Sequence, residues 1–302
     1  LRYKYNNSTA SAHDEALIRN WNNQEVLMLN FTINTGRCTR CGQCIADCPA
    51  RIIIMQDGVP TILPEKETAC YKCQHCLAVC PTGAVSILGV KPSTCRPLKG
   101  NYPAPDKLEM LIKGRRSIRK YKDENLPAEL LQRLFDVSCH APSGMNQRQV
   151  HFTLIDDREK MGRFRAEIME GLAKMVRENR LPAGMEFFAH ISKAWGEKGL
   201  DVIFRGAPHL VIATAPKSGA SPAPDCLIAL SYFELFAQSL GVGTVWNGMA
   251  KWAISDLLPE SRKRLEIPED HIIGYAMSFG MPAVQFARTV QHGKALIHRP
   301  QL

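Results

Sequence analysis

Eight cysteines stand in two runs of one pattern: Cys38, Cys41, Cys44 and Cys48, then Cys70, Cys73, Cys76 and Cys80. Each run is spaced C-x-x-C-x-x-C-x-x-x-C and followed by a proline, Pro49 or Pro81. Three thiolates on one tight loop can cap three irons of a cubane, while a fourth cysteine a helical turn further on faces away from them. The chemistry implied is one-electron transfer by [4Fe-4S] clusters. The chain has 11 Cys in 302 residues. At that frequency, three more cysteines at prescribed offsets from a given one arise by chance about 5 times in 100,000. Structural zinc uses four ligands, usually as two separated pairs, and gives no role to the third cysteine or the proline. Disulfides between cysteines this close on one loop would be strained.

In bacterial two-cluster ferredoxins the fourth cysteine of each run ligates the other cluster. On that pattern Cys38, Cys41, Cys44 and Cys80 hold one cluster, and Cys70, Cys73, Cys76 and Cys48 hold the second. The segment reads as an internal duplication of strand, cysteine loop, short helix and apolar strand, with turn residues from Gln56 to Pro60 between the halves. A ferredoxin-like domain is expected over residues 29–90, preceded by an N-terminal extension, residues 1–28. So small a core is weak by itself, and cluster ligation should supply much of its folding free energy.

Composition is that of a globular protein, with 45% hydrophobic and 22% charged residues and a net charge of +9. The sequence lacks a run of 18 apolar residues, and the first 30 carry no signal-peptide core, so a cytoplasmic protein that does not enter a membrane is expected. The positive charge concentrates between Lys91 and Lys120, where nine Lys and Arg face only Asp106 and Glu109. Without aromatic interleaving this stretch does not read as a nucleic-acid binder. A phosphate-bearing cofactor or an acidic redox partner accounts for the arginines more economically.

Residues 91–106 hold four prolines and one glycine and are read as an interdomain linker that sustains neither helix nor central strand. Beyond it, residues 107–302 form a second domain. A helix starts at Pro127 with Leu130, Leu131, Leu134 and Val137 on one face. His151 to Ile155 alternates as a strand, Arg158 to Arg177 is helical and Leu210 to Ala213 is a buried strand. Asp225 to Leu240 is a long apolar helix and Ile272 to Phe279 another strand. Helices and strands mix without regular βαβ alternation, which makes the fold class α+β.

Three motifs in this half point to one ligand. In Arg115-Arg116-Ser117-Ile118-Arg119, guanidinium forks and a hydroxyl suit bidentate phosphate contacts. Ala141-Pro142-Ser143-Gly144-Met145-Asn146 turns a helix end into a loop that exposes backbone and an amide. In Leu240-Gly241-Val242-Gly243-Thr244-Val245-Trp246-Asn247-Gly248 the glycines permit close backbone approach to a flat ligand. The chain contains no dinucleotide fingerprint or P-loop.

In this order and spacing the three motifs resemble the nitroreductase family of FMN flavoproteins. With the cysteine runs, the whole chain looks like a ferredoxin-fused member. The resemblance implies a dimeric α+β fold with FMN at the subunit interface. Arg115, Arg116, Ser117 and Arg119 would hold the phosphate and ribityl chain, and Pro142, Ser143 and Asn146 would line the isoalloxazine. Asn247 and Gly248 would sit at the N5 edge, where a backbone N–H stabilises reduced flavin. Arg288, beyond Gly280-Met281-Pro282-Ala283, would be a second phosphate ligand. Arg148 follows the loop where many members have another residue, and the flavin edge, a substrate anion and solvent all stay open for it. The carboxylates form no evident acid/base pair, so no catalytic side chain is named. Cys95, Cys139 and Cys226 read as packing or indifferent residues, and Trp246 as a core residue.

Together these readings describe an oxidoreductase that passes electrons from two [4Fe-4S] clusters to FMN and on to a small organic acceptor. Reduced ferredoxin or NAD(P)H is the expected donor, and a homodimer the expected assembly. An electron-transfer module serving a protein partner, and reduction of a non-nitro substrate by dehalogenation or by enone or quinone reduction, are the alternatives.

Overall fold

The computed structural model describes residues 29–301, so the expected N-terminal extension lies outside the described residues. The described residues divide into two units, residues 29–101 and 102–301. Among the described residues, no helix is long and apolar enough to cross a membrane.

In the first unit, strand β1 (Thr32–Ile33) pairs antiparallel with β4 (Val85–Ser86), placing Thr32 opposite Ser86. Between them β2 (Ile53–Gln56) and β3 (Val59–Ile62) form a hairpin. Its turn, Asp57-Gly58, has φ of 51° and 76°, the double left-handed geometry whose twist matches that of the flanking strands. The sequence reading took Gln56 to Pro60 wholly as turn. The strand resumes at Val59, and Pro60 is tolerated because a two-stranded ribbon leaves an edge where no N–H is required. The short helices α1 (Gln43–Ala46) and α2 (His75–Ala78) repeat one another, each following a left-handed residue, Gly42 or Gln74. Leu29, Ile52, Ile53, Ile62, Leu77, Val85 and Ile87 close a small core that also takes in the Cys44 and Cys76 side chains.

Helix α3 (Pro105–Gly114) opens the second unit. It starts inside the segment expected to sustain no helix, because a proline at the first helical position has no N–H to lose and its fixed φ suits the turn. Helix α4 (Ala128–Ser138) precedes strand β5 (His151–Ile155), helix α5 (Arg158–Arg177) and helix α6 (Phe187–Lys198). The Asp157 carboxylate caps α5 by accepting from the Glu159 and Lys160 N–H groups. Strand β6 (His209–Pro216), helix α7 (Pro222–Ser239) and strand β7 (Gly243–Trp246) follow, then α8 (Gly248–Trp252), α9 (Glu260–Arg264) and β8 (His271–Gly280).

The sheet is antiparallel throughout, in the order β5-β6-β8-β7. Alternation along β6 feeds both faces: Leu210 and Ile212 enter the core under α5 and α6, whereas Val211, Ala213 and Ala215 enter the core with α4 and α7. The unit is therefore three layers deep. That burial explains why β6 reads as a continuous apolar run and α7 as an apolar helix.

Candidate functional site

The first unit brings the eight cysteines into two sets. Cys38, Cys41, Cys44 and Cys80 line one cavity, and Cys48, Cys70, Cys73 and Cys76 line another. Each set takes three thiols from one run and the fourth from the other. Within each run the backbone alternates into the left-handed region, at Arg40 and Gly42 (φ 59° and 74°) and at Lys72 and Gln74 (φ 52° and 59°). Such alternation cups successive N–H groups around a concavity suited to anions, iron–sulfur clusters among them. The thiols ring their cavities and do not converge on a point: among the described residues no three His, Cys, Asp or Glu are close enough to hold a single ion. A zinc ion at about 2.3 Å from each sulfur would need that convergence. The donor chemistry and spacing fit a multi-atom cluster.

Burial pushes the Cys76 thiol up to about 12 and raises Cys44 and Cys70 in the same direction. Cys80 moves the other way. Burial raises it, but the Ala84 N–H at 3.2 Å and the Thr82 hydroxyl at 3.8 Å outweigh that and hold it below the ordinary thiol value. His75 is exposed and lies 3.1 Å from the Asp47 carboxylate, a contact between the two repeats.

In the second unit, the arginine segment, the glycine-rich segment and the segment of residues 280–283 meet. The Ile118 N–H donates to the Thr244 carbonyl at 2.8 Å, laying the arginine segment along β7. Gly243 makes this approach possible, since a Cβ there would stand 2.5 Å from Ile118 Cγ1. The Tyr121 hydroxyl donates to the Ile118 carbonyl at 2.7 Å, and burial raises its pKa. Lys122 N–H to Met281 carbonyl (2.8 Å) and Ala283 N–H to Lys120 carbonyl (2.9 Å) bring in the C-terminal segment.

The arginines differ in their surroundings. Arg115 Nη1 lies 3.2 Å from the Glu234 carboxylate. Arg116 donates to the Arg115 and Lys113 carbonyls at 2.6 and 2.8 Å, while its Nε is buried without a hydrogen-bond partner. Arg119 is exposed and donates to the Ser117 carbonyl at 3.4 Å. An unsatisfied buried donor among cations is what an absent anionic group would leave, so these residues fit a phosphate.

The Ser143–Arg148 loop is held at the opposite end of α7. The Gly144 N–H donates to buried Asp225 at 3.0 Å, and Gln147 accepts from the Ala220 N–H at 2.7 Å. Asp225 and Glu234 are nine residues apart on α7, about 13 Å along the axis, a separation suited to an elongated ligand. Met145, Asn146 and Arg148 all have φ between 52° and 55°, a conformation costly for non-glycine residues and found at functional loops. The Ser143 hydroxyl accepts from the Arg148 N–H at 2.8 Å, and the Arg148 guanidinium donates to the Cys139 carbonyl. Pro142 is exposed.

Asn247 is only 4% exposed. Its amide donates to the Ile203 carbonyl (3.0 Å) and the Ser278 hydroxyl (2.8 Å), and its carbonyl oxygen caps α8 by accepting from the Ala250 N–H at 2.9 Å. Gly248 begins α8, where backbone N–H groups have no intrahelical acceptor. Arg288 lies exposed in the C-terminal segment, outside regular structure; none of the polar contacts described ties it to the other arginines. Glu234 and Asp225 escaped the sequence reading. Two acids within an otherwise apolar helix were the available signal, because buried carboxylates need partners.

Residues 112–281 match the profile of the nitroreductase family. The chain belongs to the nitroreductase family. Residues 37–85 match a 4Fe-4S dicluster domain, so this nitroreductase-family chain carries an iron–sulfur unit before its flavoprotein-like fold. A Methanothermobacter thermautotrophicus protein, provisionally named as an NADH dehydrogenase/NAD(P)H nitroreductase, is 28% identical over 62% of the chain and 82% of its own length. The iodotyrosine deiodinase of Thermotoga neapolitana is 28% identical over 45% of the chain and 70% of its own length. A Bacteroides fragilis nitroreductase crystallised with FMN superposes with a TM-score of 0.52 at 25% identity, covering 64% of this chain and 99% of its own.

Proposed function

We propose that the chain is an FMN- and iron–sulfur-dependent oxidoreductase whose two clusters feed electrons to the flavin site and whose product is a reduced small organic molecule. The observation that carries this is the presence in one chain of two four-thiol cavities and an arginine segment that holds an unsatisfied buried donor. Clusters exchange single electrons, and a flavin can store two and release them together. The eight cysteines would hold the clusters in the cross-paired sets. Arg115, Arg116, Ser117 and Arg119 would hold the phosphate and ribityl chain, with Arg288 a second phosphate ligand; Pro142, Ser143 and Asn146 would line the ring, and the turn at Asn247 and Gly248 would meet its edge through a backbone N–H. No side chain needs to act as acid or base. We place the protein in the cytoplasm as a homodimer, with reduced ferredoxin or NAD(P)H as donor.

Reductive dehalogenation is the favoured second reading, because one relative is named as an iodotyrosine deiodinase. Protein purified without oxygen should contain about eight irons and one FMN per chain. Reduced by ferredoxin, NADH or NADPH in turn, it should be reoxidised by a nitroaromatic, quinone, enone or halophenol. Protein that takes up iron but no flavin would overturn the assignment. Turnover with halophenols alone would select the second reading.

A further inference from the structure

We propose that the two cysteine sets are unequal electron carriers, and that the Thr82 hydroxyl helps to make the set of Cys38, Cys41, Cys44 and Cys80 the one that takes the first electron. The inference deepens the iron–sulfur part of the reading above and rests on it.

The two runs are copies, Cys38 answering to Cys70 and Cys48 to Cys80, so each position in one has a counterpart in the other. Where Thr82 follows Pro81, Ala50 follows Pro49. The Thr82 oxygen lies 3.8 Å from the Cys80 sulfur, and the Ala84 N–H donates to that same sulfur at 3.2 Å. A cysteine ligates metal as thiolate and then has no proton to give, so the hydroxyl must be the donor. Ala50 offers Cys48 no such group. Elsewhere the copies balance: Cys44 and Cys76 each accept from the N–H of the next residue, Ile45 or Leu77. The Lys72 N–H reaches the Cys70 sulfur at 3.4 Å, longer than the Ala84 contact.

Reduction adds negative charge, and hydrogen bonds to the sulfurs stabilise that charge and raise the potential. The cavity walls act in the same direction. Ile52, Ile53, Ile62 and Ile87 line the cavity of Cys48, Cys70, Cys73 and Cys76, whereas Thr39, Gln43 and Thr82 contribute to the wall of the other. An apolar wall disfavours added charge. Charged side chains do not reverse the order: Lys72 stands where the first run has Arg40, and His75 is exposed and paired with Asp47. The Cys38 set is therefore filled first, and the Cys48 set is the stronger reductant. The two electrons that a flavin needs are held at different potentials.

Full-length protein, purified without oxygen, is reduced stepwise at poised potentials, with reduced clusters counted by electron paramagnetic resonance and flavin followed by its visible absorption. The parent should show two cluster waves. Thr82→Val keeps the volume and removes the hydroxyl. It should lower the upper midpoint, as a fall of about threefold or more in that reduction constant, the net worth of one hydrogen bond. The lower wave should stay within about twofold of the parent, and Thr82→Ser, which keeps the hydroxyl, should leave both waves there. A shift confined to the lower wave would reverse the assignment. No shift, equal shifts of both waves, or a single wave for both clusters in the parent would also overturn the proposal. If Thr82→Val does not keep its iron, Ala50→Thr decides, because it gives the other set the same hydroxyl: it should raise the lower wave and narrow the gap, and an unchanged gap overturns the proposal. A parent protein that lacks two clusters would instead refute the iron–sulfur reading.

Discussion

Asn247 uses its whole amide on the protein, bonding Ile203, Ser278 and Ala250, and its own N–H pairs with the Ala276 carbonyl at 2.8 Å. It therefore shapes the turn at which Gly248 presents its N–H. The cysteines were legible because ligand sets for a cluster are mostly local: three of four ligands lie within seven residues. Glu234 was not, because its partners are 10, 12 and 119 residues away. His209 was equally silent. It is fully buried in β6, and its Nε2 accepts from the Leu126 N–H at 2.9 Å, so the ring is neutral. Burial lowers its pKa from the ordinary 6.5. Above that value folded and unfolded chains both hold it neutral; in more acid solution the unfolded chain takes a proton that the folded chain refuses. Stability must therefore fall as pH drops below about 6.5, until the folded value is reached. His271, lowered by burial and by His151, acts in the same direction. Thermal denaturation between about pH 7 and pH 5 should show a shallower decline for His209→Gln than for the parent. Equal slopes would exclude His209 as a source.

At the level of elements, β5 and α5 match their expected bounds because each carries one clear period over its whole length. Strand β7 was read only as a glycine-rich approach to ligand, and α6 was not expected at all. For β7 the reason is that Gly243 and Thr244 are strand residues through pairing with Gly280 and Phe279 in β8, partners 37 and 35 residues further on. Helix α7 reaches its tightest contact with β8 at Gly274. A Cβ there would lie 2.2 Å from the Cβ of Cys226 and 2.7 Å from its sulfur, and both atoms belong to a helix that cannot withdraw freely. Gly274→Ala should cost about 1–3 kcal/mol by overpacking, read as a lowered midpoint in urea denaturation followed by tryptophan fluorescence. An unchanged midpoint would mean that α7 and β8 separate without penalty. The same contact explains why Cys226 is a packing residue, its thiol raised by burial to about 12 and so unreactive.

On the scale of the whole molecule, the two units differ in what can hold them. The second has two hydrophobic clusters on either face of a four-stranded sheet. The first has two ribbons, of two and four residue pairs, and sheets this small are marginal alone. Removing iron with a chelator under reducing, oxygen-free conditions should therefore unfold the first unit while flavin stays bound to the second. Hydrogen exchange would show this as loss of protection in residues 29–90 only, with the flavin spectrum retained. Simultaneous release of flavin would show that the second unit depends on the first.

The sequence alone determined the electron-carrying chemistry, the α+β class and the family, because cysteine spacing, strand and helix periods and the arginine motif are local patterns whose meaning survives without coordinates. Tertiary structure decided how the residues divide their roles. It brought each fourth cysteine beside the other run's three. It also set Glu234 against Arg115 and committed the Asn247 side chain to the core. These are choices between partners distant in the chain, and burial makes them: a charge or amide removed from water must bond whatever the fold places next to it.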